Sequence, residues 1–353
     1  MTWMNRLYET YEAAQKLDLS FDEKIMPIGH APQNAHINIT IDGNGNFLRA
    51  KVLPNKTQIM LPATEKSAGR SGTKAPPHPL ADKIQYVGED YSSYGDKRSG
   101  FEDYKAQLAK WCESSYCHKK VKAVYQYVSK GKVVSDLITA KVLHIGSDGQ
   151  LLDEWSETTE SESIPEIFKT LPKNQGKTEQ AAALVCWSVE EPGVPQSDTW
   201  TDEDVHQSWI DYLHATDTDR GICCVTGKES VLAANHPAKI RHSGDRAKLI
   251  SANDKSGFTF RGRFTDKNGS QAVGVSSEVT QKAHNALMWL IDRQGQRKGD
   301  QVYVTWAISG KEIPEPLKDT FSLLTQEIKY QPKQESSEAE TIDHSVDLGE
   351  SFA

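Results

Sequence analysis

Apolar and polar residues follow a regular spacing in several blocks of the chain, and each block predicts an element. Apolar side chains recur at helical spacing over residues 3–17, which predicts an opening amphipathic helix. Isoleucines alternate with polar residues over 37–41 and precede the sequence DGNG at 42–45, a combination typical of a β-hairpin. A strand ending at QIMLP then leads into a loop rich in Gly, Ser and Pro.

The same periodicity predicts the later elements. The run LVCWSV reads as a buried strand, and a helix with acidic residues in its first turn begins after the cap Thr201. The further predicted elements are helices over 101–116, 119–130 and 276–295, a hairpin over 141–155 around Asp148-Gly149, and a strand over 301–308.

Helices and antiparallel hairpins are mixed without βαβ regularity, so the predicted class is α+β. We expect an N-terminal α+β region over 1–200, with a prominent loop at about 62–88, and a second α+β region over 201–330. Residues 331–353 carry six acidic residues against one lysine and almost no large apolar groups, which predicts an acidic flexible linker.

Composition limits the class of protein. The chain has 353 residues, a formal net charge of −8 and 37% apolar residues, so basic surface, if present, is local. Five cysteines without disulfide-like spacing fit a reducing compartment. The N-terminus has no apolar signal segment, and the longest apolar run, Ala181–Trp187, is too short to span a bilayer. We therefore expect a soluble cytoplasmic protein without a membrane partner.

The cysteines give little support for a metal site. Cys223 and Cys224 are adjacent, so their side chains point in opposite directions from a strand, and no second close pair follows. The pair Cys112 and Cys117 lies at a predicted helix end without nearby partners. No P-loop, nucleophile elbow or dinucleotide fingerprint is present, although a Cys–His or Ser–His arrangement stays open. The sequence predicts no metal, no cofactor and no catalytic residue.

Local charge is more informative. Residues 236–263 carry seven Lys or Arg residues against two Asp, a candidate phosphate-binding track in an acidic protein. Within it, Phe258 and Phe260 alternate with Arg261, so aromatic and basic side chains occupy opposite strand faces. The alternative interpretation is a core strand with an ordinary solvated basic face.

The loop at 70–74 is a second candidate. Its small residues permit close backbone approach to a ligand, and Arg70 and Lys74 suit a guanine edge or a phosphate. The alternative is a flexible loop with no binding role.

Several segments in order resemble one family. They are LYETYE, ITIDGNGNF, MLPATEKSAGRSG, PLADKIQYVG, CCVTGKE, HPAKI, AKLISANDKSGF, TQKAHNALMWLI, IPEPLKDTF and DLGESFA. Together they are similar to the Csd family of CRISPR-associated proteins, over essentially the whole chain. Family chains continue into a helical C-terminal region that is absent here, so we expect a truncated chain. His78 and Lys83 stand where the family pattern has asparagines.

The resemblance implies a non-catalytic large subunit of the subtype I-C surveillance complex, Cascade, which is variant c of the eighth Cas family. Such a subunit recognises the protospacer-adjacent motif in target double-stranded DNA, promotes duplex opening and holds the displaced strand in antiviral defence. In this family the N-terminal region serves motif recognition, so the resemblance makes the loop at about 62–88 the candidate motif-reading loop. Its implied partners are the 5′ handle region of the guide RNA, the handle-binding, backbone and small subunits, and a recruited helicase-nuclease. The candidate nucleic-acid-binding residues are Arg70, Ser71, Lys74, His78, Lys83, Lys239, Arg241, Arg246, Lys248, Arg261 and Arg263.

Two other functions stay open on the sequence. A metal-dependent nuclease domain acting on DNA or RNA would use histidines among His206, His214, His236, His242 and His284. A scaffold that contacts only protein would bind no DNA, and substitutions at Arg70 and Lys74 would then have no effect.

Overall fold

The structure is a computed structural model, and its described residues fall into nine ranges. Within these ranges helices and small, mainly antiparallel sheets are interspersed, which confirms the α+β class. The described residues are 2–20, 23–70, 75–155, 163–174, 176–216, 220–241, 245, 247–250 and 274–309. The predicted strand around Phe258 and the acidic segment 331–353 lie outside them, and the proposed division at residue 200 stays a prediction.

The helices of the described residues vary from one turn to five. Their bounds are α1 Trp3–Ala14, α2 Glu65–Ala68, α3 Ile84–Val87, α4 Phe101–Glu113, α5 Lys119–Val128, α6 Val133–Thr139, α7 Glu166–Thr170, α8 Glu203–Thr216 and α9 Ser277–Gln294.

The strands are short. Their bounds are β1 His30–Asn34, β2 Ile37–Asp42, β3 Phe47–Val52, β4 Gln58–Pro62, β5 Asp82–Lys83, β6 Lys173–Asn174, β7 Lys177–Thr178, β8 Leu184–Glu190, β9 Arg220–Ile222, β10 Glu229–Val231, β11 Gln296–Lys298 and β12 Gln301–Tyr303.

A four-stranded sheet in the order β3-β2-β8-β5 forms the centre of the molecule. β2 and β3 make the predicted hairpin, with Thr40 opposite Arg49. β2 also pairs with β8 in parallel, with Ile39 opposite Trp187. That parallel pair was not expected among antiparallel hairpins, and it forms because both strands are almost entirely buried and need cover on both faces.

Helices α3 to α6 cover this sheet and share its core. Trp111 of α4 and Trp209 of α8 meet edge to face with ring centroids 4.9 Å apart. The indole nitrogen of Trp187 donates to the carbonyl of Leu80 at 2.9 Å, and the hydroxyl of Tyr104 donates to the same carbonyl at 2.7 Å. The chain after β4 is therefore attached to the core where it returns to the sheet at β5.

A second core forms between α1 and α9, the first and last helices of the described chain. Leu7 and Tyr11 of α1 pack with Ala283 and Leu290 of α9 in one buried cluster. The side-chain amide of Asn285 donates to the carbonyl of Met26 at 2.9 Å, which fastens α9 to the segment leading into β1. α9 therefore lies beside the ladder that β1 makes with β4.

Three local predictions differ in detail from the structure. α8 is capped by Asp202 rather than Thr201, because Asp202 Oδ1 accepts from the Asp204 amide at 3.0 Å. The hairpin over 141–155 reduces to a single bridge between Ile145 and Leu151, and the strand over 301–308 ends at Tyr303. In each case the local pattern predicts where the element lies but not its end residues, which depend on tertiary packing.

None of the helices in the described ranges combines the length and the apolar character that crossing a lipid bilayer requires.

Candidate nucleic-acid interface

The chain leaves β4 through a one-turn helix with a capping box. The hydroxyl of Thr64 accepts from the amide of Ser67 at 3.1 Å, and the hydroxyl of Ser67 accepts from the amide of Thr64 at 2.9 Å. This reciprocal pair satisfies amides that a helix start otherwise leaves unpaired. It fixes α2 and hence the position of Arg70, which follows two residues after it.

Asp82 organises the base of the loop that α2 enters. Its carboxylate is fully buried and receives a bidentate pair from the Arg70 guanidinium, with Nη1 2.7 Å from Oδ2. The backbone amides of His78 and Lys83 each donate to the same carboxylate at 2.7 Å. A buried carboxylate needs this degree of hydrogen bonding, so Asp82 joins the two ends of the loop. We call the Arg70–Asp82 pair the loop clasp.

The Arg70 side chain is held on every side that the structure describes. Its Nη1 donates to the carbonyl of Pro76 at 2.9 Å, and its guanidinium lies 5.0 Å from the ring centroid of Tyr86. The hydroxyl of Tyr86 donates to the carbonyl of Ala75 at 3.0 Å. The guanidinium of Arg70 therefore donates to groups of the loop itself, and only 12% of the Arg70 side chain is exposed.

His78 and Lys83, two further candidate residues, lie next to the clasp. His78 is buried, with Nδ1 3.1 Å from the hydroxyl of Ser67. Burial holds the pKa of His78 well below its ordinary value, and the positive charges of Arg70, Lys239 and Lys83 lower it further. Burial and the Arg70 charge also lower the pKa of Lys83, while Asp82 opposes them. His78 is neutral at pH 7 and sits in a positive local potential.

The candidate basic track is described in part. Arg241 pairs with Asp245, with Nε 2.9 Å from Oδ2, and donates through Nη1 to the carbonyl of Asp300 at 2.8 Å. Lys239 has a φ of 70°, a left-handed conformation that costs a residue other than Gly, Asn or Asp conformational energy. Ala238 and Lys248 form an isolated antiparallel bridge. Arg241 therefore has a structural partner, whereas Lys239 and Lys248 make no ion pair within the described residues.

The loop base and the basic track line one cleft of about 820 Å³. Its walls come from β1, from α2 and Arg70, from the segment 235–241 with Lys248, and from α9. We call it the basic cleft. The cationic side chains that line it are Lys66, Arg70, Lys239, Arg241 and Lys248, against Glu65 and Asp292.

Glu65 joins the two walls. Its carboxylate accepts from the amides of Ala234 at 3.2 Å and Asn235 at 3.0 Å, and from the hydroxyl of Ser277 at 2.7 Å. A residue at the start of α2 therefore orients both the approach to the basic track and the first turn of α9.

The sequence-predicted residues divide into three groups. The structure brings Arg70, Lys239, Arg241 and Lys248 together in the cleft. His78 and Lys83 form the second group: they lie next to the clasp at Asp82 and are not among the residues that line the cleft. The others lie outside the described residues: Ser71, Lys74, Arg246, Arg261 and Arg263.

Sequence reasoning missed several lining residues. His30, Gln33 and Asn34 on β1 and Gln58 on β4 reach the cleft through the β1–β4 ladder. The local sequence does not indicate that these residues line a cleft, because β1 and β4 are more than twenty residues apart along the chain. The polar residues of the α9 face, Gln281 and Asn285, were a detectable signal within an otherwise apolar helical stripe.

None of the cysteines is in a disulfide. Cys223 is buried and Cys224 is exposed, but both follow the end of β9 at Ile222, so the predicted alternation along a strand does not apply to them. Among the residues that the structure describes, no group of three or more His, Cys, Asp or Glu side chains is arranged to hold a metal ion.

Comparison with known proteins assigns the chain to a family. The model of the CRISPR-associated protein family Cas_Csd1 matches residues 7–351. The chain belongs to this family. The resemblance inferred from the sequence motifs is thereby confirmed, and the basic cleft is a feature of a CRISPR-associated protein. A search of curated proteins found no significant match.

Proposed function

We propose that this protein is the non-catalytic large subunit of a type I-C CRISPR surveillance complex, and that it recognises the protospacer-adjacent motif in target double-stranded DNA. One observation carries the proposal. In a member of a CRISPR-associated family, the base of the candidate motif-reading loop and the candidate basic track line the same cleft.

The charge distribution supports a role with DNA. Recognition of a duplex needs phosphate contacts that position the protein and side chains that read base edges. Lys66, Lys239 and Lys248 line the cleft and make no ion pair within the described part of the chain, so their charges are available to phosphates. The clasped loop beside them has a fixed base, which suits a reading element that must hold its shape.

The wider role follows from the family. We propose that the protein acts in the cytoplasm within the assembled complex, next to the 5′ handle region of the guide RNA and in contact with the handle-binding, backbone and small subunits. After motif recognition it promotes opening of the duplex and holds the displaced strand, and cleavage is left to a recruited helicase-nuclease.

A titration on the assembled complex tests recognition. We expect a labelled duplex with the adjacent motif to bind more tightly than a motif-scrambled duplex, and the preference to disappear when this subunit is omitted. Equal binding of the two duplexes by the complete complex would refute motif recognition.

The absence of catalysis is a separate proposal with its own test. Incubation of the purified protein with labelled DNA and RNA, with Mg²⁺, Mn²⁺ or Zn²⁺, is expected to leave both intact. Metal-dependent cleavage that co-purifies with the chain and is lost on His236→Ala would instead establish the nuclease function.

A further inference from the structure

Cys112 and Cys117 lie on the two sides of the turn that joins α4 to α5, and their thiols are hydrogen-bonded to each other. Cys112 belongs to the last turn of α4, and Cys117 directly precedes His118, the N-cap of α5. The amide of Cys117 donates to the carbonyl of Ser114 at 3.4 Å, which closes the turn between them. The two sulfur atoms are therefore neighbours, which is the first geometric condition for a disulfide.

Backbone contacts place both sulfur atoms at the first turn of α5. Cys112 Sγ lies 3.8 Å from the carbonyl of Val121, and Cys117 Sγ lies 3.5 Å from the carbonyl of His118. His118 and Val121 are three residues apart, so they are neighbours on one side of the helix. These contacts put the two thiols on the same side of the helix end, independently of the hydrogen bond between them.

The pair is also within reach of small molecules. Cys112 and Cys117 are both half-buried, whereas Cys186 is buried. Burial raises the pKa of Cys186, so that thiol is both shielded and protonated. A solute that reacts with thiols can therefore reach the pair at the α4–α5 turn but not the cysteine in the central sheet.

The two thiols differ in reactivity. The hydrogen bond from Cys112 lowers the pKa of Cys117 to about 7, burial opposes this, and the charge and backbone of Lys122 lower the pKa further. The same hydrogen bond and burial raise the pKa of Cys112, so Cys112 keeps its proton. Because the thiolate is the nucleophile, Cys117 reacts first and Cys112 second.

We propose that Cys112 and Cys117 form a reversible redox site, in which hydrogen peroxide oxidises the two thiols to one disulfide. The Cys117 thiolate attacks a peroxide oxygen, the O–O bond breaks, hydroxide leaves, and Cys117 becomes a sulfenic acid. The Cys112 sulfur then attacks the sulfenic sulfur, the S–O bond breaks, and the hydroxyl leaves as water with the Cys112 proton. The two sulfurs together lose two electrons. The peroxide is reduced to two waters, because the hydroxide takes up the proton that Cys117 had released.

The disulfide closes the turn on which α8 rests. The hydroxyl of Ser208 on α8 donates to the carbonyl of Tyr116 and accepts from the indole nitrogen of Trp111 at 3.2 Å. Trp111 directly precedes Cys112, and Tyr116 directly precedes Cys117. Oxidation therefore acts where α8 contacts the α4–α5 turn. Neither cysteine lines the basic cleft, so this site does not depend on the DNA role proposed above.

The test treats the full chain with hydrogen peroxide and maps its thiols by mass spectrometry. Trypsin cleaves after Lys110, an exposed residue of α4 outside the basic cleft, and after Lys119, so residues 111–119 form one peptide that holds both cysteines of the pair and no other. We expect this peptide to become lighter by two hydrogen atoms, to resist alkylation, and to regain two reactive thiols with dithiothreitol. In the untreated protein at pH 7, iodoacetamide should label Cys117 several-fold faster than Cys224, whose pKa is raised by burial.

Three serine variants separate the roles of the two thiols. In Cys112→Ser, the same treatment should carry Cys117 to the sulfinic acid, which dithiothreitol does not reverse. In Cys117→Ser, Cys112 should stay a free thiol. Cys224→Ser is the matched control and should form the disulfide as the parent protein does. Serine is similar in size to cysteine and keeps a hydrogen-bond donor, and circular dichroism checks that each variant is folded.

Several results would overturn the proposal. A sulfinic acid at Cys117 beside a free Cys112 thiol in the unsubstituted protein would show that the two sulfurs do not meet. Oxidation of Cys224 before Cys117, or no change in peptide 111–119 after treatment, would also refute it. A change confined to that peptide and reversed by dithiothreitol supports the redox site.

Discussion

The Arg70 guanidinium and the Asp82 carboxylate form a bidentate pair at the base of the loop between β4 and β5, where the carboxylate also accepts from two backbone amides. This pair gives Arg70 a structural partner in the residue range where motif reading is proposed. Arg70 and Asp82 therefore hold together the two described ends of the loop.

Removal of Asp82 is expected to destabilise the protein substantially. Asp82→Ala leaves the Arg70 charge and the amides of His78 and Lys83 without their acceptor, and breaking a buried pair costs about 3 to 5 kcal/mol. Urea unfolding measures the decrease in stability. The control is Glu190→Gln, which breaks an exposed pair with Arg49 and is expected to have a much smaller effect. Equal decreases for the two variants would show that the clasp contributes no more than a surface pair.

The loop clasp also leads to a prediction about how Arg70 and Asp82 variants lose the binding preference for the correct motif. If Arg70 acts by shaping the loop, Arg70→Ala and Asp82→Ala should reduce the preference for the correct motif to the same extent, and the double variant should lose no more than either single one. Titrations of the complex with matched and motif-scrambled duplexes measure this. A loss of preference in Arg70→Ala but not in Asp82→Ala would make Arg70 a direct reader, for which a base contact is worth about 1 to 3 kcal/mol.

Lys239 and Lys248 are expected to act through phosphates. Lys239→Gln and Lys248→Gln should weaken matched and scrambled duplexes alike and reduce the salt dependence of binding, by about 0.9 in log–log slope for each phosphate that is no longer neutralised. Titrations at two or more salt concentrations measure the slope. Lys110→Gln should leave it unchanged, and a motif-selective weakening in either cleft variant would contradict the phosphate assignment.

The buried histidines predict that stability falls in mild acid. His30 has a folded-state pKa of about 3 and His284 of about 4, against about 6.5 in an unfolded chain. The unfolded state therefore binds more protons below pH 6.5, so the stabilisation is complete above that pH and is lost as the pH falls towards 4. Each such histidine contributes a slope of about 1.4 kcal/mol per pH unit within this window.

Urea unfolding at pH 7.5, 6.5 and 5.5 measures that slope. His284→Phe is expected to reduce it by the share of one histidine, and His214→Gln, at an exposed position near the end of α8, should leave it unchanged. A stability that is constant from pH 7.5 to 5.5 would show that these rings are not kept neutral by the fold.

Glu65 is expected to hold the cleft walls together. Glu65→Ala removes the acceptor of the Ala234 and Asn235 amides and of the Ser277 hydroxyl, so both amides should exchange their hydrogens faster. Hydrogen exchange read by mass spectrometry over residues 229–241 measures this. Glu113→Ala, an exposed position on α4, is the control, and unchanged exchange in Glu65→Ala would show that the walls are held by other contacts.

The sequence by itself determined the local elements and the family. Alternating isoleucines with the DGNG turn specified the β2–β3 hairpin, and helical spacing specified α1, α4, α5 and α9 to within a few residues. Such signals are readable because periodicity and turn chemistry are properties of neighbouring residues. The local excess of basic residues was equally visible, and motif order was enough to recognise the CRISPR-associated family that the family model confirms.

Only the tertiary structure decided which distant residues meet. The parallel β2–β8 pair, the packing of α1 on α9 and the binding of Arg70 by Asp82 each depend on the packing of the whole chain. Local sequence cannot rank such pairings, because many compact arrangements satisfy the same hydrophobic pattern. The basic cleft is the result: its lysines were visible in the sequence, whereas its histidines and amides were assembled by strands and helices far apart along the chain.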